Sequence, residues 1–267
     1  MRLLKRAENG ELSLTEFFDD SIPRYAILSH TWGKAGDEVS FEDLNKGSGR
    51  DKNGYHKILF CEKQAANDGL QYFWVDTCSI DKSSSSELTE AINSMWRWYS
   101  NAAKCYVYLS DVSDTYQPSL ITWEADFRSS RWFTRGWTLQ ELIAPPLVEF
   151  FSLEGKRLGD KRSLEQQIHE ITGINMQALR GDPLSEFSVA ERLSWATDRK
   201  TTRKEDEAYS LLGIFDIHIP LIYGEGQKAM VRLKEEIDKS SNGKSSTISI
   251  CRSQLVLTFR ISIYDDR

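Results

Sequence analysis

No run of apolar residues approaches the 18 that a membrane span requires, and the opening "MRLLKRAENGEL" turns charged too early for a signal peptide. The expectation is a soluble, cytoplasmic protein without membrane attachment. Cysteine is scarce: Cys61, Cys78, Cys105 and Cys251 form no C-x-x-C pair. Three of them lie within apolar segments, where a thiol behaves as a small hydrophobe, so buried free thiols in a reducing compartment are expected. His30, His56, His169 and His218 make no H-x-x-x-H pair, which argues against a zinc site, and no metal is expected. Excess positive charge is absent too. With 34 basic and 40 acidic residues the net charge is −6, which disfavours an extended nucleic-acid surface. "NGKSS" near the end is not a phosphate loop, because Asp238 stands where that motif needs glycine and no strand precedes it. There is no repeat array or nucleotide-binding switch to act as a sensor.

What is present is an alternation. "YAILSHTWG" (25–33), "YFWVDTCSID" (72–81), "KCYVYLSD" (104–111) and "LVEFFS" (147–152) read as strands, at about 25–30, 72–76, 104–109 and 147–151. Between them "GYHKILFCEKQAANDGL", "SSSSELTEAINSMWRWYSNAA" and "SSRWFTRGWTLQELIAPP" have helical spacing, at about 55–68, 86–101 and 134–143. The first of these carries Ile58, Leu59, Glu62, Ala65 and Ala66 at helical spacing. The second has Ser84 and Glu87 as a capping box and a stripe of Leu88, Ala91, Ile92, Met95, Trp98 and Tyr99. Strand–helix alternation predicts an α/β fold with a mainly parallel sheet flanked by helices. From about 152 the pattern becomes helical, with Ser188 and Glu191 as another capping box. Three units follow: an α/β domain over 1–152, a helical region over 153–239, and a Ser-rich tail over 240–267 without helical period, expected to be poorly ordered.

Three strands turn polar at their carboxyl ends, at Ser29-His30-Thr31, Asp76-Thr77 and Ser110-Asp111. Open α/β sheets bind ligands there, although strand ends are commonly polar in any case. On a helix over 134–143, Leu139, Leu142 and Ile143 form the core stripe, while Thr134, Trp137 and Glu141 fall together on another face. That second face is either a tryptophan packed on a neighbour with a solvated glutamate, or an aromatic wall beside a carboxylate. Helical geometry does not choose between them.

The four blocks "YAILSHTWG", "FWVDTCSID", "ELTEAINSMWRWYSNAAKCYVYLSDV" and "SRWFTRGWTLQELIAPP" resemble, in order, those of the HET domain, the heterokaryon-incompatibility module of filamentous fungi. "AERLSWATDRKTTRKEDEAYSLLGIFDIHIPLIYGEG" is similar to the segment that commonly follows it, so the resemblance covers about residues 1–237. It implies a role in non-self recognition ending in programmed cell death. More distantly, the element order resembles the TIR domain, whose W-C-x-x-E-L motif is matched by Trp137 and Glu141, with Thr138 in place of cysteine. In TIR members that cleave NAD that glutamate is catalytic, whereas many others are non-enzymatic scaffolds. The resemblance therefore implies two alternatives: hydrolysis of NAD at the nicotinamide–ribose bond, with Glu141 as the carboxylate, or a non-catalytic signalling and self-assembly module. NAD would be a substrate, and no cofactor is implied. Trp32, Trp132 or Trp137 could stack on a ring, and His30, Gly33 and Arg135 could reach phosphates, with Asp76 at the same strand ends. His30 serves equally well as a structural strand-end residue. Self-association and partners among other incompatibility proteins, NLR-type receptors included, complete what the resemblance implies.

Overall fold

The computed structural model describes residues 1–7, 10–18, 21–115 and 123–242. The tail expected over 240–267 therefore lies almost wholly outside the described residues, as does Cys251. The chain opens with a hairpin that lies outside the strands predicted from the sequence: β1 (Arg2–Arg6) pairs antiparallel with β2 (Leu12–Glu16), Leu4 opposite Leu14. Its overlooked signal is the Asn9-Gly10 dipeptide, a strong hairpin-turn pair. Gly10 has a φ of +81°, a backbone that L side chains rarely adopt.

Next come β3 (Tyr25–His30), α1 (Phe41–Asn45), α2 (Tyr55–Asn67), β4 (Tyr72–Trp74), α3 (Asp76–Ser79), α4 (Ser85–Asn101) and β5 (Lys104–Tyr108). After α5 (Trp123–Ser129) the chain makes a 3-10 turn over Arg131–Thr134, then α6 (Thr138–Ile143), β6 (Val148–Phe151) and β7 (Arg157–Asp160). The remainder is helical: α7 (Glu165–Thr172), α8 (Met176–Arg180), α9 (Val189–Ser194), α10 (Asp206–Tyr209), α11 (Leu212–Phe215) and α12 (Lys228–Asn242). The sheet runs β2-β1-β4-β3-β5-β6-β7. The four central strands β4, β3, β5 and β6 are parallel, while β1, β2 and β7 add antiparallel edges. Counted along the chain, the parallel block has the order 2-1-3-4, as in flavodoxin-like doubly wound sheets. The fold is α/β with a mainly parallel centre, as the alternation predicted.

All six residues of β3 are buried, because the strand is central and covered on both faces. One face, with Ala26, Leu28, Phe73 and Tyr106, packs on Ile58, Cys61 and Ala65 of α2. Of the five residues at helical spacing in α2, Ile58 and Ala65 are buried, whereas Leu59 is exposed and Glu62 is drawn out to an ion pair with Arg6. On the other face a single cluster runs from Ile27, Trp74 and Val107 through Tyr99 and Leu139 into Leu212, Phe215 and Leu233. One core therefore joins the sheet to the helical region. Cys61, Cys78 and Cys105 are free and buried. Among the described residues no helix is long and apolar enough to cross a membrane.

One expected helix is corrected. Residues 134–143 do not form one continuous helix; α6 starts at Thr138, after an extended residue at Arg135. The break follows from docking. Gly136 N–H donates to Lys200 O at 3.0 Å and Lys200 N–H to Thr134 O at 2.7 Å, so the Thr134 carbonyl that a helix would use internally is committed across the chain. A Cβ on Gly136 would lie 2.5 Å from Thr201 Cγ2, so only glycine admits this contact.

Candidate functional site

Every residue of α6 is buried, Glu141 included. The face opposite the leucines is covered by α4, whose Met95 Sδ lies 3.7 Å from Gln140 Nε2. The carboxyl end of α6 is closed by Lys161, whose Nζ donates to Pro145 O at 2.7 Å and Leu142 O at 3.2 Å; burial pushes this ammonium down to about 8. The short helix is thereby held rigidly at both ends, which fixes where Glu141 points.

Glu141 is 7% exposed and receives the hydroxyl of Ser29, the penultimate residue of β3. Ser29 Oγ in turn accepts from Trp132 Nε1 at 2.8 Å, giving a directed chain from indole to hydroxyl to carboxyl. Tyr99 of α4 lines the same cavity and donates its hydroxyl to Leu28 O at 3.1 Å. Burial pushes Glu141 up to about 8; the Ser29 bond opposes that rise, and the neighbouring Asp76 charge adds to it. At neutral pH Glu141 therefore holds its proton. Asp76 behaves oppositely. Burial would raise it, but the hydrogen bond from His30, the charge of Lys82 and the indole of Trp32 outweigh that and hold it down to about 2. His30 Nε2 lies 3.0 Å from Asp76 Oδ1 and Trp32 Nε1 2.9 Å from Oδ2. His30 Nδ1 is buried without a partner. Two acids with pKa values pushed apart at one site are the pattern from which acid–base roles are assigned.

Both acids line a cavity of about 660 Å³, within the size range of small-molecule sites. It opens at the carboxyl ends of β3 and β4, the place that the polar strand ends indicated. His30, Trp32, Gly33 and Asp76 line it from the sheet side, Arg135, Trp137 and Glu141 from the α6 segment, and Arg203, Asp206 and Tyr223 from the helical region. Tyr223 OH donates to Asp206 Oδ1 at 2.9 Å.

Residues 25–122 match the family model described as heterokaryon incompatibility protein (HET). This chain contains a HET domain. It is 59% identical over 243 residues to the vegetative incompatibility protein HET-E-1 of Podospora anserina, an alignment covering 90% of this chain and 18% of that protein. The chain thus spans less than a fifth of the relative's length. No solved structure gives a significant match, so the TIR resemblance finds no support from that side.

Within the HET-domain match lie His30, Trp32, Gly33 and Asp76; Arg135, Trp137 and Glu141 lie beyond it. Seven of the eight sequence-selected residues meet at one cavity. The exception is Trp132, which has no exposed surface and cannot offer a ring face to a ligand. It serves the site indirectly, through Ser29. Gly33 also differs from its expected use: its N–H is taken by Glu38 Oε1 at 2.7 Å, and a Cβ there would lie 2.9 Å from Asp37 Oδ2. Its missing side chain makes room for its own loop. Ser29 and Tyr99 escaped selection because a strand-end serine and a stripe tyrosine look purely structural. Arg203, Asp206 and Tyr223 carry no local signal of a site at all.

Proposed function

We propose that this HET domain acts in heterokaryon incompatibility as a cell-death effector that hydrolyses NAD at the nicotinamide–ribose bond. The observation that carries the reading is Glu141, a buried carboxyl fixed by Ser29 in a 660 Å³ cavity walled by Trp32, Trp137 and Tyr223. In this reaction the C1′–N bond breaks and its electron pair passes to the pyridinium nitrogen, so nicotinamide leaves neutral and needs no general acid. Positive charge develops on the ribose, where the Glu141 carboxylate offsets it; water then adds at C1′ and releases a proton. The aromatic walls suit a flat base or nicotinamide ring.

Glu141 acts in its ionised form, so kcat/KM rises with pH through about 8, the value of the free protein. A pyridinium cation in the cavity favours ionisation, which lowers that value once substrate is bound. The role in incompatibility and partners among other incompatibility proteins, NLR-type included, come to this chain from its relative's name, and self-association from the TIR resemblance. The test is nicotinamide release by the purified protein incubated with NAD. Glu141→Gln is expected to lower the rate by about 100-fold or more, the scale for removing one aimed electrostatic group. Wild-type protein that kills cells but releases no nicotinamide, with Glu141→Gln equally lethal, would leave a non-catalytic assembly module as the reading.

A further inference from the structure

The acids of the cavity are all engaged. Glu38 accepts from Lys57 Nζ at 2.5 Å and from Gly33 N–H. Asp76 accepts from His30 and Trp32, Glu141 from Ser29, and Asp206 from Tyr223. Its cations form no direct salt bridge among the described residues. Lys82 Nζ rests 3.9 Å above the Trp32 ring, where its charge acts on Asp76, and the Arg203 guanidinium rests 4.5 Å above the Tyr223 ring, where its charge acts on Asp206. Among the described residues neither these two nor Arg135 forms an ion pair.

Arg135 and Arg203 come from distant parts of the chain, and a specific docking brings them to one cavity. Besides the backbone bonds between Lys200 and the 134–136 turn, Arg199 Nη1 donates to Arg135 O at 2.9 Å and to Thr138 Oγ1 at 2.8 Å. The basic strip 199–203 is thus stitched along the turn that carries Arg135, and Arg203 follows at its end. Guanidinium groups pair bidentately with phosphate oxygens, and two of them that make no direct salt bridge among the described residues match two linked phosphates.

We propose that Arg135 and Arg203 form a clamp for the diphosphate of a nucleotide ligand. The proposal deepens the reading above, on which it rests for the dinucleotide; the diphosphate preference itself is testable without any turnover. The helical region is then part of the binding site, and a nucleoside lacking the diphosphate is a poor ligand.

The experiment is calorimetric titration of the full chain with ADP and, separately, with adenosine, at low and moderate salt, alongside nicotinamide release from NAD. ADP is expected to bind at least about tenfold tighter than adenosine, with salt weakening ADP alone. Arg135→Gln and Arg203→Gln should each weaken ADP by about tenfold or more and leave adenosine binding and the melting temperature in place, with Arg203→Lys intermediate. Equal binding of ADP and adenosine, no ADP binding, or either glutamine variant binding ADP like wild type overturns the clamp. If ADP binding follows both arginines while nicotinamide is never released, the clamp stands and NAD hydrolysis falls. If both variants release nicotinamide with an unchanged KM, the clamp falls and NAD hydrolysis stands.

Discussion

Trp132 and Trp137 stand in one short stretch and do different work. Trp132 is sealed in the core and spends its indole N–H on Ser29; Trp137 stays half-buried on the cavity wall. Between them they orient Glu141 and shape the space it faces. Because the folded protein raises Glu141 above its ordinary value of 4.5, the native state keeps a proton that the unfolded chain loses between that value and about 8. Stability therefore falls as pH rises through this window and levels off above it, by an amount on the order of a few kcal/mol. Glu141→Gln cannot ionise and should lack this slope. Thermal melts from acid to mildly alkaline pH are expected to show the variant gaining on wild type steadily up to about pH 8. Parallel curves would mean that Glu141 is not the buried acid described. Asp76 contributes with the opposite sign: its folded value is lowered from 3.8 to about 2, so its stabilisation is complete above the unfolded value and is lost only as pH falls toward 2.

At the scale of elements, α6 is a six-residue helix that could not persist alone and is defined by what clamps it. Leu139 has no exposed surface, and Leu139→Ala is expected to cost about 2–5 kcal/mol through the cavity left behind, measured by denaturant unfolding. Gly136→Val should act differently. Its side chain would collide with Thr201 and separate the 199–203 strip from the turn. Hydrogen exchange is expected to quicken at Lys200 and Gly136, whose amides bridge the two segments, while the sheet stays protected. Unchanged protection at both amides would show that the docking tolerates a side chain. The capping boxes were legible only in half: Ser84 and Ser188 each receive the expected N–H, but Glu87 turns to Arg2 and Asp81, and Glu191 to Asn175. The sequence pattern marks a helix start; which group a side-chain carboxylate prefers depends on neighbours brought in from elsewhere.

At the scale of the molecule, the helical region is continuous with the core of the sheet, since Leu212, Phe215 and Leu233 share a cluster with Ile27, Val107 and Leu139. A fragment ending at residue 152 would expose that face and lose Arg199, which ties down the α6 turn. We expect it to lack cooperative unfolding in calorimetry and to bind an apolar dye, as packing lost from one sheet face dictates. A sharp transition in the fragment would show instead that residues 1–152 are a self-sufficient unit. The same continuity explains why the cavity needs both regions, with Arg203, Asp206 and Tyr223 forming the wall that faces Glu141 and Asp76.

The sequence by itself determined the order of the four parallel strands and of the main helices between them, the parallel centre of the sheet, the family, and the strand ends at or just beyond which His30 and Asp76 stand. These are properties of periodicity and local motif, which neighbouring residues in the chain decide. Only the tertiary structure decided that Glu141 is buried and protonated, that Trp132 supports while Trp137 lines, and that the basic strip after α9 closes the site. Burial, pKa and the placing of Arg135 and Arg203 on one cavity depend on which surfaces pack together across the chain, and no local pattern records that.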